Sequence, residues 1–151
     1  MMMKELKPLD RKAMFAEIDS GKEFDIVIIG GGWAGCAAAI RARKQGHEVQ
    51  LLEKTDLLLG LGNVGGIMRN NGRYTAAEEN IALGADELFE ITDRLSTHRD
   101  IDFPGHRHAS FYDVALVEPE VRRLLTKLGV ELHMMTRVVD VELANTAAGA
   151  P

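Results

Sequence analysis

The feature that most constrains the fold is a glycine turn over residues 30–35, with the sequence GGGWAG. The segment before it, residues 24–29, is short, apolar and rich in β-branched side chains, which is typical of a buried strand in a parallel sheet. Residues 36–45 are good helix formers, and they are followed by a glycine, a common helix stop. A second strand is predicted over residues 48–52, directly before Glu53. This order predicts the βαβ unit that binds dinucleotides.

Each residue type in the unit has a mechanical role. Gly30 lets the chain leave the strand sharply, Gly32 lets the backbone approach a pyrophosphate, and Gly35 lets the helix lie close to the strand. The free amides and positive dipole end of the helix start favour phosphate. Glu53 is placed to accept hydrogen bonds from the adenosine ribose, and its charge disfavours the extra phosphate of NADP. The other predicted cofactor contacts in this unit are Trp33, Ala34 and Lys54.

Composition bounds the remaining possibilities. The chain has 151 residues, which suits one domain, and its net charge of −5 with scattered basic residues argues against a nucleic-acid partner. The longest uncharged run, residues 26–40, is too short and too broken by glycine for a membrane span. Residues 1–7 lack the apolar segment of a secretory signal, and one cysteine excludes an internal disulfide. We therefore expect a cytoplasmic protein without a nucleic-acid or membrane partner.

The chain divides into three parts by pattern. Residues 1–23 are predicted to be an N-terminal helical extension, in which Asp10 caps a short helix. Residues 24–143 are predicted to form an α/β domain with a Rossmann-like parallel sheet. Residues 144–151 are small and unpatterned, which indicates a flexible tail.

A long loop follows the dinucleotide unit. Residues 54–72 contain no clear helix or strand pattern, and ten of the fifteen glycines of the chain lie between Gly30 and Gly72. Loops of this length in compact domains are usually functional or disordered. Because this loop also carries apolar side chains, we predict that it is packed and functional.

The second half of the chain is predicted to contain two helices and two strands. A capping box at residue 75 opens a helical region that extends to about residue 97 and is split near Gly84. A clearer helix is predicted over residues 118–128, with a proline in its first turn. Residues 130–134 and 138–143 alternate between apolar and polar side chains and are predicted to be strands.

These residues resemble FAD-dependent oxidoreductases of the glutathione-reductase-like type, which contain two dinucleotide-binding domains. The glycine turn with Glu53 is the first signal, and the resemblance implies that it holds the pyrophosphate and adenosine ribose of FAD. Gly65-Gly66 is similar to the glycines that such proteins place against the flavin side of the cofactor. Residues 129–138 resemble the strand whose Thr-x-Val backbone touches the adenine, which implies a contact at Val138. The resemblance covers residues 24–143 and implies FAD as cofactor.

Proteins of that type are several times longer, with a later strand and an acidic motif that complete the flavin site and a separate substrate domain. The resemblance therefore implies an incomplete FAD-binding domain that lacks sheet partners, with exposed apolar surface and a free sheet edge. A missing C-terminal part, a second subunit or a homo-oligomer would cover them. Two alternatives stay open: an NAD-binding Rossmann module, and a nucleotide-binding or interaction module without activity of its own.

Three further side chains invite a functional interpretation. Cys36 stands at a helix start, where a thiol is activated, but a free cysteine is more often a small buried residue. His106 and His108 have no further converging ligand in the sequence, so we predict no metal site. No group of residues has a catalytic pattern, and the sequence leaves the catalytic residues unknown.

Overall fold

A computed structural model describes residues 22–70, 77–98 and 110–143. Four features predicted above lie outside these ranges. They are the N-terminal helix capped by Asp10, the capping residue Thr75, the pair His106 and His108, and the tail over residues 144–151.

The centre of the fold is a three-stranded parallel sheet. Strand β1 (Ile26–Ile29) leads through the glycine turn into helix α1 (Trp33–Lys44), which returns the chain to β2 (Val49–Leu52). The last strand of the sheet, β6 (Glu131–His133), pairs with the other side of β2, so the order is β1-β2-β6. This architecture confirms the predicted α/β class and the Rossmann-like βαβ unit.

A small antiparallel sheet follows the long loop. Its strands are β3 (Arg69–Asn70), β4 (Ser96–His98) and β5 (Ser110–Tyr112), in the order β3-β5-β4. The sequence predicted no strand in these segments, because each is two or three residues long and carries too little pattern to identify.

A broken helix connects β3 to β4. It begins as α2 (Ala77–Asn80), continues through a π-helical turn (Ile81–Ala85) and ends as α3 (Asp86–Arg94). The break lies at Gly84, whose φ of +107° is not helical, which confirms the predicted split. The predicted end near residue 97 was three residues too late, because those residues form β4 instead.

Helix α4 (Val114–Lys127) precedes β6 and starts four residues earlier than predicted. Its N-cap is Asp113, whose Oδ1 accepts a hydrogen bond from Ala115 N at 2.8 Å. Pro119 therefore lies inside the helix and not in its first turn. The sequence interpretation gave weight to the proline, whereas the capping aspartate determines the start.

Two strand predictions need correction. Residues 138–143 form no strand, and the side chains of Val139, Val141 and Leu143 are more than 60% exposed. Alternation without a neighbouring strand is not sufficient to form a sheet. Strand β1 is parallel as predicted, but it is not buried on both sides, since Val27 is 48% and Ile29 60% exposed.

The hydrophobic core lies between the parallel sheet and helices α1 and α4. Its centre includes Ile40 of α1, Leu51 of β2, and Val121 and Leu125 of α4, all fully buried. The opposite face of β1 carries the exposed valine and isoleucine. Within the described residues, no helix has the length and apolar character needed to cross a membrane.

Candidate functional site

The glycine turn leaves β1 in a conformation that requires glycine. Gly30 has a φ of +106°, and its N–H donates to Leu52 O at 2.8 Å, which ties the turn to the end of β2. A Cβ on Gly35 would lie 1.9 Å from Gly30 O, so α1 approaches the turn more closely than any side chain permits. A Cβ on Gly31 would lie 2.7 Å from Leu58 Cδ2, a constraint that the sequence did not single out.

Gly32 is different, because no described atom occupies the space that its side chain would fill. It is the N-cap of α1, its φ is −68°, and a Cβ there would meet no atom within 4 Å. No described side chain caps the helix, and its first turn contains no acidic residue. The first helical hydrogen bond runs from Cys36 N to Gly32 O at 2.9 Å, so the amides of α1 that precede Cys36 have no partner within the helix. This arrangement suits a phosphate group.

Glu53 lies beside the turn and is buried. Gly31 N donates to its Oε2 at 2.7 Å, and Thr55 N donates to its Oε1 at 2.8 Å. The Thr55 hydroxyl also lies 2.8 Å from Oε1. Burial acts to raise the pKa of this carboxyl, but the hydrogen bonds from Thr55 and Gly31, with the charge of Lys54, hold the pKa below its ordinary value. Glu53 is therefore a fixed anion that retains lone pairs for a ligand hydroxyl.

The segment after β6 lies against the same edge of the sheet. Glu53 N donates to His133 O, and Thr136 N donates to Glu53 O, both at 2.8 Å. Val138, the predicted adenine contact, is half-buried two residues beyond Thr136. The structure thus brings the predicted Thr-x-Val segment next to Glu53. Lys54, also predicted to contact the cofactor, is exposed beside it.

The long loop contacts the glycine turn through its first half. Leu59 N donates to Gly31 O at 2.7 Å, and a Cβ on Gly60 would lie 3.3 Å from Gly32 Cα. A Cβ on Gly65 would meet Leu61 instead, and one on Gly66 would meet nothing within 4 Å. The loop glycine beside the turn is therefore Gly60, which the sequence interpretation did not assign to the site.

Trp33 packs on the protein through its ring. The centroids of its rings lie 6.1 Å from Phe89 and 5.9 Å from Tyr112. The Tyr112 hydroxyl donates to Gly62 O at 3.0 Å, and a Cβ on Gly62 would lie 2.3 Å from Trp33 Nε1. The tryptophan therefore supports the loop, and it is its backbone that stands at the start of the helix.

A cavity of about 610 Å³ begins at the glycine turn and extends between the loop and the broken helix. Its walls are mainly apolar, and Arg69 and Asn80 supply the polar side chains. The volume lies within the range of small-molecule sites. The apolar walls are formed by Trp33, Ala34, Ala37, Leu59, Leu61, Ile67, Ala85, Leu88 and Phe89.

Cys36 is fully buried, and burial raises the pKa of its thiol to about 12. Its Sγ donates to Gly31 O at 3.3 Å. The thiol is therefore protonated at neutral pH, which favours the packing interpretation over a reactive one. Among the described residues, no group of three or more potential ligands is arranged for a metal ion.

Comparison with known proteins identifies the family. Residues 25–150 match the family described as FAD dependent oxidoreductase. The chain is 30% identical over 110 residues to the FAD-dependent monooxygenase kojA of Aspergillus flavus, which covers 62% of this chain and 26% of that protein. The fold of this chain is similar to that of glycine oxidase from Bacillus cereus (TM-score 0.53, 14% identity, 82% of this chain and 49% of that one). It is also similar to AlpK (TM-score 0.53, 20% identity, 82% and 26%).

This chain belongs to the FAD dependent oxidoreductase family, because the family match spans most of its length. It is similar to an FAD-binding portion of such an enzyme, and FAD is its cofactor, as the resemblance implied. The chain spans about a quarter of the length of the curated monooxygenases that it matches.

Proposed function

We propose that this chain holds FAD for flavin redox chemistry through the glycine turn and Glu53. The observation that carries the proposal is the open backbone at Gly32, one residue after the amide of Gly31 that donates to the buried, ionised Glu53. Amides at the start of α1 would bind the pyrophosphate, and Glu53 would accept hydrogen bonds from the ribose. Bound FAD supplies hydride or electron transfer, whereas the chain supplies binding and orientation.

The cavity supports a further assignment within this proposal. It starts at Gly32–Ala34, where we place the pyrophosphate, and it leads between apolar walls past Arg69. A flat aromatic ring joined to a phosphate matches both the apolar walls and the amides at the entrance. We therefore assign the cavity to the flavin end of the cofactor. Val138, Gly65 and Gly66 remain predicted contacts of the adenine and the flavin side.

The test is a titration of the purified chain with FAD, followed by the quenching of flavin fluorescence. Because hydrogen bonds to a charged group contribute about 1.5–3 kcal/mol each, Glu53→Ala should raise the Kd for FAD by roughly 10- to 100-fold. The matched control is Glu48→Ala, which removes an exposed carboxylate. Glu48 directly precedes β2, whereas Glu53 directly follows it. Equal affinities for Glu53→Ala and the wild type would remove Glu53 from the site.

The exposed face of β1 supports a proposal about partners. Parallel sheets are normally covered on both faces, yet Val27 and Ile29 are about half exposed. We propose that polypeptide equivalent to the remaining part of the longer relatives packs on this face. A chain that is monomeric and binds no hydrophobic dye would contradict this proposal, whereas dye binding that falls in a Val27→Thr, Ile29→Thr variant would support it.

We also propose a cytoplasmic location. Its support is the cysteine content, since the single cysteine is buried and reduced and cannot form an internal disulfide. Retention of a tagged chain in the cytosolic fraction of cells is the expected result. Enrichment in an oxidising compartment would contradict the proposal.

A further inference from the structure

A buried carboxylate outside the proposed cofactor contacts holds the long loop. Glu118, on α4, is only 4% exposed, and its side chain reaches the loop that follows β2. Its Oε1 accepts a hydrogen bond from Leu58 N at 3.2 Å and another from Arg122 Nε at 2.9 Å. Arg122 Nη2 makes a second contact with the same oxygen. The carboxylate is thus shared between a loop amide and a guanidinium group.

Arg122 completes the grip on the loop from the same helix. Its Nη2 donates to Asp56 O at 2.8 Å. Asp56 lies two residues before Leu58, whose amide donates to Glu118. The Glu118–Arg122 pair therefore fixes both ends of the segment 56–58. A buried ion pair is weak evidence for stability, since desolvation offsets its attraction. The role of the Glu118–Arg122 pair is better explained by the backbone conformation that it imposes on segment 56–58.

The segment held in this way leads into a strained residue. Leu59 has a φ of +72°, a left-handed backbone conformation that residues other than glycine rarely adopt. Its side chain is fully buried. Such strain persists only where the surroundings fix it. Leu58 N is held by Glu118 on one side, and Leu59 N is held by Gly31 O on the other. The strained residue then places Gly60 beside Gly32.

We propose that Glu118 and Arg122 are positioning residues of the cofactor site. They hold segment 56–58 so that Leu59 keeps its left-handed conformation, pairs with the glycine turn and sets Gly60 beside Gly32. Loss of the pair releases the loop, and the entrance of the cavity loses its fixed shape. The link to FAD rests on the proposed function, whereas the effect on the loop does not.

The loop is tested first, in the cofactor-free chain, by amide hydrogen exchange. Glu118→Gln and Arg122→Lys each remove part of the pair, and Glu120→Gln and Arg123→Lys are matched controls from the neighbouring exposed ion pair on the same helix. Both test variants should speed exchange at Leu58 and Leu59 by about tenfold, with little change in α1 or β2. The controls should leave exchange at both amides unchanged.

The site is tested next by FAD titration of the same four variants. We expect the Kd for FAD to rise about tenfold in the test variants, with a changed absorption band shape of the bound flavin, and to stay the same in the controls. A fifth variant, Glu118→Ala, removes the acceptor for Leu58 N, whereas Glu118→Gln keeps one. The rise in the Kd for FAD should therefore be smaller for Glu118→Gln than for Glu118→Ala. This rescue separates positioning from a general loss of stability.

Three results would overturn the proposal. They are exchange that rises equally along the whole chain, exchange at Leu58 and Leu59 that does not change, and FAD affinity that is unaffected although the loop is released. Arg122→Lys keeps the buried carboxylate paired, so it provides the answer if Glu118 variants do not fold. If the wild-type chain binds no FAD, the proposed function fails, and exchange at the two amides alone decides the positioning role.

Discussion

The two glycines Gly35 and Gly32 should respond differently to alanine. Gly35→Ala should lower the stability of the fold, whereas Gly32→Ala should lower the affinity for FAD. A Cβ at position 35 would lie 1.9 Å from Gly30 O, a backbone atom that cannot move away freely because Gly30 N is bonded to Leu52 O. Overpacking of this kind costs about 1–3 kcal/mol, and a backbone obstacle places Gly35→Ala at the upper end. For a chain of this size, about 3 kcal/mol lowers Tm by roughly 6–12 °C.

Gly32→Ala should change binding and leave stability almost unaltered. Its Cβ would meet no atom of the described residues within 4 Å, and its φ of −68° suits any residue. The gain from a less flexible unfolded chain and the loss of a preferred N-cap residue have opposite signs, so we expect a net change within about 0.5 kcal/mol. The same methyl group would stand where we place the pyrophosphate, so the Kd for FAD should rise at least about tenfold.

The assay for the pair is thermal unfolding followed by circular dichroism, together with FAD titration at a temperature where both variants are folded. A Gly35→Ala chain that melts with the wild type would refute the packing argument at the turn. A Gly32→Ala chain that binds FAD as tightly as the wild type would refute the placement of the pyrophosphate.

Three further predictions address individual side chains. Cys36 should react with iodoacetamide at pH 8 at least about 100-fold more slowly in the native chain than in urea, because its thiol is buried and its pKa is raised to about 12; equal rates would contradict this. Asp113→Ala should lower stability by about 1 kcal/mol through loss of the α4 cap, with exposed Glu142→Ala as control, and an unchanged Tm would count against the cap. Folding lowers the pKa of Glu53 from its ordinary value of 4.5. The stability that Glu53 contributes is therefore fully present when the pH is above 4.5, and it is lost as the pH falls through the folded-state pKa. The difference in unfolding free energy between wild type and Glu53→Gln should therefore shrink from about pH 6 to pH 3, and a constant difference would be inconsistent with it.

The sequence predicts the dinucleotide unit well because its signals are local. Gly30, Gly35 and Glu53 belong to one continuous stretch in which each residue type has a single mechanical explanation, and the sheet order around β2 agrees with it. The start of α4 was missed although its cap, Asp113, is visible in the sequence. A proline that suits a first turn is also tolerated deeper in a helix, so it was the weaker signal.

Other features depend on contacts between distant residues. Glu118 meets Leu58 across 60 positions, so no local pattern marks it as a residue of the loop. The alternation over residues 138–143 satisfies the strand pattern but finds no strand to pair with among the described residues. Gly60, rather than Gly65 or Gly66, lies beside the turn because a short 3₁₀ turn over Gly60–Gly62 folds the loop back.

The proposed roles of the glycine turn and Glu53 depend on the binding of FAD by this chain. The most direct test is to incubate the purified chain with equal amounts of FAD and NAD, remove the unbound cofactor, denature the protein and identify the released molecule by mass spectrometry. We expect FAD in stoichiometric amount from the wild type and much less from Glu53→Ala. Release of NAD instead, or of neither cofactor, would contradict it.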